Sequence, residues 1–386
     1  MPDKNNSKQS IVTRVSQALH FVEAETGAVV PSIQPSATYA RDENYEVRKP
    51  YWYRRDGSQT TAHAEAIIKE LENAEESFLF SSGMSACTAV LEHLPTGAHV
   101  VVPKVMYHGV LQQIQNYEAN KRILVSSYTA GNLEEMAAAV RPSETQLVWV
   151  ETPNNPNWEV TDITAAAEIA HGAGAKLLAD CTGTPPCMTR ALDLGADFSF
   201  HSATKYLNGH SDITAGVLSV KEIGKYWEDI FWIRKLQGTV LHSFDAWLLI
   251  RGMRTLFLRV EKSCKNAMAI AKHFEGHQHI ETVFYTGLSS DPGHEVSKRQ
   301  TDGQFGGMMS VIIRGTEQNA IDVTRFCQLF YPATSLGGVE SLVEHRKTVS
   351  GEGFPVHPRL LRLSIGIEDP DDLIYDLEQA LSRAFT

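Results

Sequence analysis

No stretch of the sequence approaches the ~20 consecutive apolar residues that a membrane span needs, so no membrane is expected as a partner. The opening MPDKNNSKQS lacks the apolar segment of a secretory signal, and a cytoplasmic address is the expectation. Cysteine is sparse. Cys87, Cys181, Cys187, Cys264 and Cys327 are odd in number and never form a C-x-x-C pair, which argues against a disulfide framework or a structural zinc site. They are read as free thiols. The histidines are scattered, without H-E-x-x-H or comparable spacing, and no metal is expected. Basic clusters are missing too: the formal charge of −11 is spread along the chain, with no Lys/Arg stripe that could neutralise a phosphate backbone. Nucleic acid is therefore excluded as an expected partner. Internal repeats and low-complexity tracts are also absent.

What remains is ordinary globular material, with 42% hydrophobic and 21% charged residues, far from the composition of disorder. The 386 residues exceed one typical domain, and two domains plus an extension are expected. Residues 1 to about 58 carry Thr26-Gly27, Pro31, Pro35 and the run Tyr51-Trp52-Tyr53-Arg54-Arg55, the pattern of an extended arm without a core of its own. Between about Glu65 and Val220, short apolar runs alternate with amphipathic stretches, as strands and helices do in a mostly parallel α/β sheet. Strands are predicted at Phe78–Phe80, His99–Val102, Ile123–Val125, Leu147–Val150, Leu177–Ala179 and Phe198–Phe200. Helices are predicted over Ala64–Glu72, Ser85–Leu94, Val110–Ala119, Leu133–Val140 and Ile163–Gly172. After Asp245 a long helix-compatible run, AWLLIRGMRTLFLRVEKSCKNAMAIAKHF, leads into a smaller α+β region. In such sheets the ligand site lies beyond the carboxyl ends of the strands.

Three strand ends carry polar residues that a buried sheet does not need. Ser81-Ser82-Gly83-Met84 follows FLF and precedes a helical pattern. Glycine lets the backbone approach a ligand there, and the free N–H groups of a helix start suit a phosphate; an ordinary cap has the same look. Asp180 ends the run KLLA. A carboxylate there can hold a protonated ring nitrogen and make a cofactor ring an electron sink, or it can simply cap the turn CTGTP. The third segment, HSATKYLNGHSD, follows DFSF and places Lys205 just past a buried strand. A desolvated amine deprotonates more readily and can attack an aldehyde, and Ser202 and Thr204 flank it with hydroxyls suited to a phosphate. Loop lysines are usually solvated, but this setting favours the chemical role. Tyr107, in VPKVMYHG, belongs to the same rim and offers a flat face for stacking, if it is not a core aromatic.

With ETPNNPN, SLGGVESLVEH and LLRLSIGIEDPDD following in order, the chain resembles the Cys/Met-metabolism (trans-sulfuration) family of pyridoxal-phosphate enzymes. The resemblance runs from TGAVVPSI to IEDPDDLIYDLEQAL. It implies an α/β fold of type I for PLP-dependent transferases, a mostly parallel sheet with helices on both faces plus a smaller C-terminal α+β domain. The implied units are an arm (1–58) contacting a neighbouring subunit, a cofactor domain (59–245) and a C-terminal domain (246–386). Pyridoxal 5'-phosphate would sit as a Schiff base on Lys205, which would also shuttle protons. Asp180 would pair with the pyridine nitrogen, and Tyr107 would stack on the ring and serve as acid or base. Ser82, Gly83, Met84, Ser202 and Thr204 would hold the phosphate. Tyr53 and Arg55, in YRRDGSQT, match a motif with which a neighbouring subunit completes that phosphate site. A homo-oligomer is thereby implied, a tetramer by family habit. Asn155 and Arg362, with Ser335 beside them, match the residues that grip a substrate amino acid's α-carboxylate, a task suited to the planar arginine fork.

The sequence departs from the family in places. Cys181 replaces the usual Asn after the pyridine-binding Asp, and Ser58-Gln59-Thr60 replaces Asn-Pro-Thr. Gly109 stands where methionine-degrading members have Cys. Thr334 occupies a position, near the distal end of the substrate, where synthases and γ-lyases carry Glu and β-lyases an aromatic residue. The expected reaction is γ-replacement on an activated homoserine, since SLGGVESL and YLNGHSD stand closest to the synthases. Elimination from cystathionine or a related sulfur amino acid is the alternative, and a catalytically silent binding protein the remaining one.

Overall fold

The computed structural model describes residues 9–48, 50–350 and 355–386; the polar opening of the expected arm lies outside them. Each apolar run read from the first half of the sequence becomes a strand, usually a residue or two longer than expected. They are β1 (Glu76–Phe80), β2 (Ala98–Pro103), β3 (Ile123–Tyr128), β4 (Thr145–Glu151), β5 (Lys176–Asp180) and β6 (Phe198–Ser202). A further strand that the sequence analysis missed, β7 (Gly216–Val220), inserts between β1 and β6, giving the order β1-β7-β6-β5-β4-β2-β3. It runs antiparallel to both neighbours, while β6, β5, β4, β2 and β3 pair in parallel. Successive side chains alternate across a strand. Phe78, Phe80, Val100, Trp149 and Phe198 therefore pack on one face against the helices Gly83–His93, His108–Ala119 and Lys225–Gln237. Leu79 and Val217, and farther along the sheet Val148, Val150 and Leu177, pack on the other. With both faces buried, the strands read as unbroken apolar runs.

The run after Asp245 is two helices, Ser243–Met253 and Leu256–Phe274, where a single continuous one was expected. At the break, Arg259 donates to the carbonyls of Gly252 (2.8 Å) and Tyr206 (3.0 Å). This ties the helix pair to the loop that follows Lys205. Gly252 is flush against that loop: a Cβ there would meet the Asn208 carbonyl oxygen at 2.2 Å.

The second sheet comprises β8 (Ile280–Phe284), β9 (Met308–Ile313), β10 (Tyr331–Pro332), β11 (Leu342–His345) and β12 (Leu360–Ser364), in the order β10-β11-β12-β9-β8. Leu361 and Leu363 face a core built with the helices Leu256–Phe274, Glu317–Phe326 and Pro370–Ala384. Alternation turns Arg362 the opposite way. On that side Trp158, from the loop after β4, donates to Ser310 Oγ at 2.9 Å, so the two sheets meet where the strand ends of the first one open.

The N-terminal segment contains a short helix, Ile11–Ser16, with Val15 buried. It packs on the helix Gln59–Glu72 and along Ser243–Met253 of its own chain, with Trp247 Nε1 donating to the Pro31 carbonyl at 2.8 Å. Among the described residues, no helix is long and apolar enough to cross a membrane.

Candidate active site

The carboxyl ends of β1, β2, β4, β5 and β6 open into a single cleft enclosing about 250 Å³. Twelve of the residues singled out from the sequence line it: Ser82, Gly83, Met84, Tyr107, Asn155, Asp180, Ser202, Thr204, Lys205, Thr334, Ser335 and Arg362. Tyr53 and Arg55 do not. They lie on the arm outside the cleft of their own chain, with the Arg55 guanidinium over the Tyr53 ring at 4.6 Å and Tyr53 exposed.

At the end of β1, Ser82 caps the helix Gly83–His93 by accepting from Ser85 N–H at 3.1 Å. A Cβ on Gly83 would come within 3.2 Å of Ser202, so a larger residue would close the space between helix start and lysine loop. Thr204 is pinned by its own backbone setting: its hydroxyl donates to the Ala215 carbonyl and accepts from the Ala215 N–H. Helix-start N–H groups, hydroxyls and a side-chain-free glycine together offer donors of the kind a phosphate takes.

β4 and β5 place Glu151 and Asp180 side by side in register, both buried. Asp180 accepts from the Thr182 N–H at 2.9 Å. Burial raises its pKa, while the hydrogen bonds from Thr182 and the nearby His201 act in the opposite sense. Burial and the adjacent Asp180 charge push Glu151 up to about 8. Glu151 was missed by the sequence analysis. Its two oxygens accept the N–H groups of Tyr107 (2.7 Å) and Asn155 (2.9 Å), so one carboxyl group fixes the backbone under two of the expected site residues. Tyr107 stands at the start of the helix His108–Ala119 with its ring half in the cleft, and burial raises its hydroxyl pKa.

Across the cleft, Lys205 Nζ donates to Ser335 Oγ at 2.8 Å. Burial, with help from the positive charge of Arg362, lowers its pKa to about 8. Arg362 donates to Glu344 (2.8 Å), to the Ser335 carbonyl (3.0 Å) and to Asn155 Oδ1 (3.4 Å). Thr334 is exposed at the mouth. Arg346, Glu344, His108, Thr182 and Trp158 join this environment without having been singled out from the sequence.

An aldehyde-bearing, anionic, aromatic cofactor fits this arrangement: a buried lysine of lowered pKa, a buried carboxyl group at the end of β5, and a helix start flanked by hydroxyls. The sequence profile of the Cys/Met metabolism PLP-dependent enzymes matches residues 13–382. The chain belongs to that family. As a member of the Cys/Met metabolism PLP-dependent enzymes, it is an enzyme with pyridoxal phosphate as its cofactor. Two relatives with different named activities are similar to it at nearly equal identity. A cystathionine beta-lyase from Coxiella burnetii is 37% identical over 99% of this chain and 100% of its own. A cystathionine gamma-synthase from Mycobacterium tuberculosis is 38% identical over the same shares. The crystal structure of metB from Corynebacterium glutamicum superposes with a TM-score of 0.94 at 36% identity, covering 98% of this chain and 99% of that one. The type I fold expected from the sequence is thus the observed one.

Proposed function

We propose that this enzyme catalyses γ-replacement on an activated homoserine, with its cofactor carried on Lys205. The observation that carries the proposal is the setting of that lysine: a buried amine of pKa about 8, across the cleft from Asp180 and beside a buried arginine. Pyridoxal phosphate, when bound, supplies an aldehyde and a cationic ring that stabilises negative charge at a substrate α-carbon. Asp180 would pair with the ring nitrogen and keep it charged, and Tyr107 would offer its flat face to the ring. Ser82, Gly83, Met84, Ser202 and Thr204 hold the phosphate. Arg362 and Asn155, with Ser335, clamp the substrate α-carboxylate in a forked geometry. With the carboxylate fixed, the α-proton would face Lys205, whose free amine would take it as general base. Lys205 and Tyr107 then move protons between the α- and β-carbons so that a leaving group can depart from Cγ. Thr334, small and uncharged at the mouth, leaves room for the nucleophile that replaces it.

In this reading residues 59–245 and 246–386 are the cofactor and C-terminal domains. The arm, residues 1–58, brings Tyr53 and Arg55 to a neighbouring subunit's phosphate site in a cytoplasmic homotetramer. Elimination is the second reading, favoured by the similarity to a cystathionine beta-lyase. Purified holoenzyme incubated with O-acyl homoserine, with and without cysteine or sulfide, separates the two. A new sulfur amino acid formed only with the nucleophile supports replacement. A 2-oxo acid released from cystathionine, with no replacement product, shifts the assignment to elimination. A coloured protein that converts neither is a binding protein.

A further inference from the structure

Two buried guanidinium groups share one carboxylate at the edge of the cleft. Glu344 and Arg362 are register partners on β11 and β12. Glu344 Oε2 accepts from Arg362 Nη2 at 2.8 Å, and Oε1 accepts from Arg346 Nη1 at 2.6 Å. All three are almost fully enclosed, Arg346 being only 1% exposed. Arg346 also lines the cleft, its Nη2 lies 3.3 Å from His108 Nδ1, and its Nε has no hydrogen-bond partner among the described residues.

Any anion that docks on Arg362 has a resident competitor. Glu344 already occupies one arm of the fork, and buried opposite charges attract strongly because little solvent screens them. Two guanidiniums and one carboxylate leave a single positive charge in the group. Without Arg346 none would remain. We propose that Arg346 is a positioning residue for substrate recognition: by sharing Glu344 it leaves Arg362 the net charge and free donors that an α-carboxylate needs. The proposal rests on the reading of Arg362 as the carboxylate anchor. If Arg346 only held the start of the helix Arg346–Ser350, its loss would disturb ligands without regard to their charge.

The test uses holoenzyme titrated with glycine and with glycinamide, which presents the same amine without the carboxylate, binding being read from the visible absorbance. Wild type is expected to prefer glycine. Arg346→Met loses about tenfold or more in glycine affinity while glycinamide changes little, because only the former depends on the net charge at Arg362. Adding Glu344→Gln to Arg346→Met recovers most of the loss, since it removes the competitor. Equal weakening of both ligands, or a double variant no better than the single one, overturns the proposal. Wild type that binds both ligands alike overturns it together with the anchor role of Arg362. Should Arg346→Met not accumulate as folded holoenzyme, Glu344→Gln alone carries the test. Glycine then tightens severalfold with glycinamide unchanged, and weaker glycine binding counts against the idea.

Discussion

Lys205 is held where an ammonium ion is hard to keep. Burial is the larger cause and the neighbouring Arg362 charge the second, against a smaller opposing pull from Glu344. Below about pH 8 the amine is mostly protonated and cannot attack an aldehyde; above it the free base dominates. The rate at which apoenzyme recaptures pyridoxal phosphate should therefore climb with pH and level off near 8, whereas an ordinary lysine would keep gaining until about 10.4. Arg362→Met removes the depressing charge, so the bend should move to higher pH. Stopped-flow absorbance at a series of pH values would show it, and an unmoved bend would mean that burial alone sets the value. Arg362 was legible because the ending LLRLSIGIED carries it in a recognisable place. Arg346 and Glu344 were not, since in VEHRKT a buried ion pair and a solvated one are written with the same letters.

At the level of strands, loops and helices, the chemistry sits where apolar runs stop. The sequence marked these stops well: Ser82, Asp180 and Ser202, polar residues at or just past the ends of buried strands, all line the cleft. It marked contacts made across long stretches of chain poorly. Glu151 looks like the last residue of a strand until its carboxyl group is seen to hold Tyr107 and Asn155. β7 was overlooked because GVLSV follows a polar turn with no helical pattern before it, and its place in the sheet depends on pairing with β1, remote in the chain. The break between the two long helices has no proline to announce it; what marks it is Arg259 reaching back to the lysine loop. That loop offers its own test. Gly209 has φ +74°, and a Cβ there would lie 1.9 Å from Arg259 Nη1. Gly209→Ala should lower stability by about 2–3 kcal/mol through left-handed strain and a displaced arginine, measured as a shift of the urea midpoint; an unchanged midpoint would show that the loop relaxes freely.

Across the whole molecule, the cleft lies where the first sheet's strand ends meet the underside of the second sheet, so the proposed cofactor and substrate groups would come from opposite sides. Under the proposed function, Tyr53 and Arg55 would join this plan from a second copy. Lys205→Ala and Arg55→Ala homo-oligomers should each be nearly inactive. Unfolded together and reassembled, they should recover roughly a quarter of wild-type activity, because half the random pairs are mixed and each mixed pair rebuilds one intact site. No recovery would confine each site to one chain. Every step still depends on where the cofactor is attached. Borohydride reduction of the holoenzyme followed by peptide mass mapping decides that point directly. The pyridoxyl group is predicted on the peptide containing His201–Tyr206, at Lys205; a label on another lysine, or none on a cofactor-saturated protein, would contradict the account.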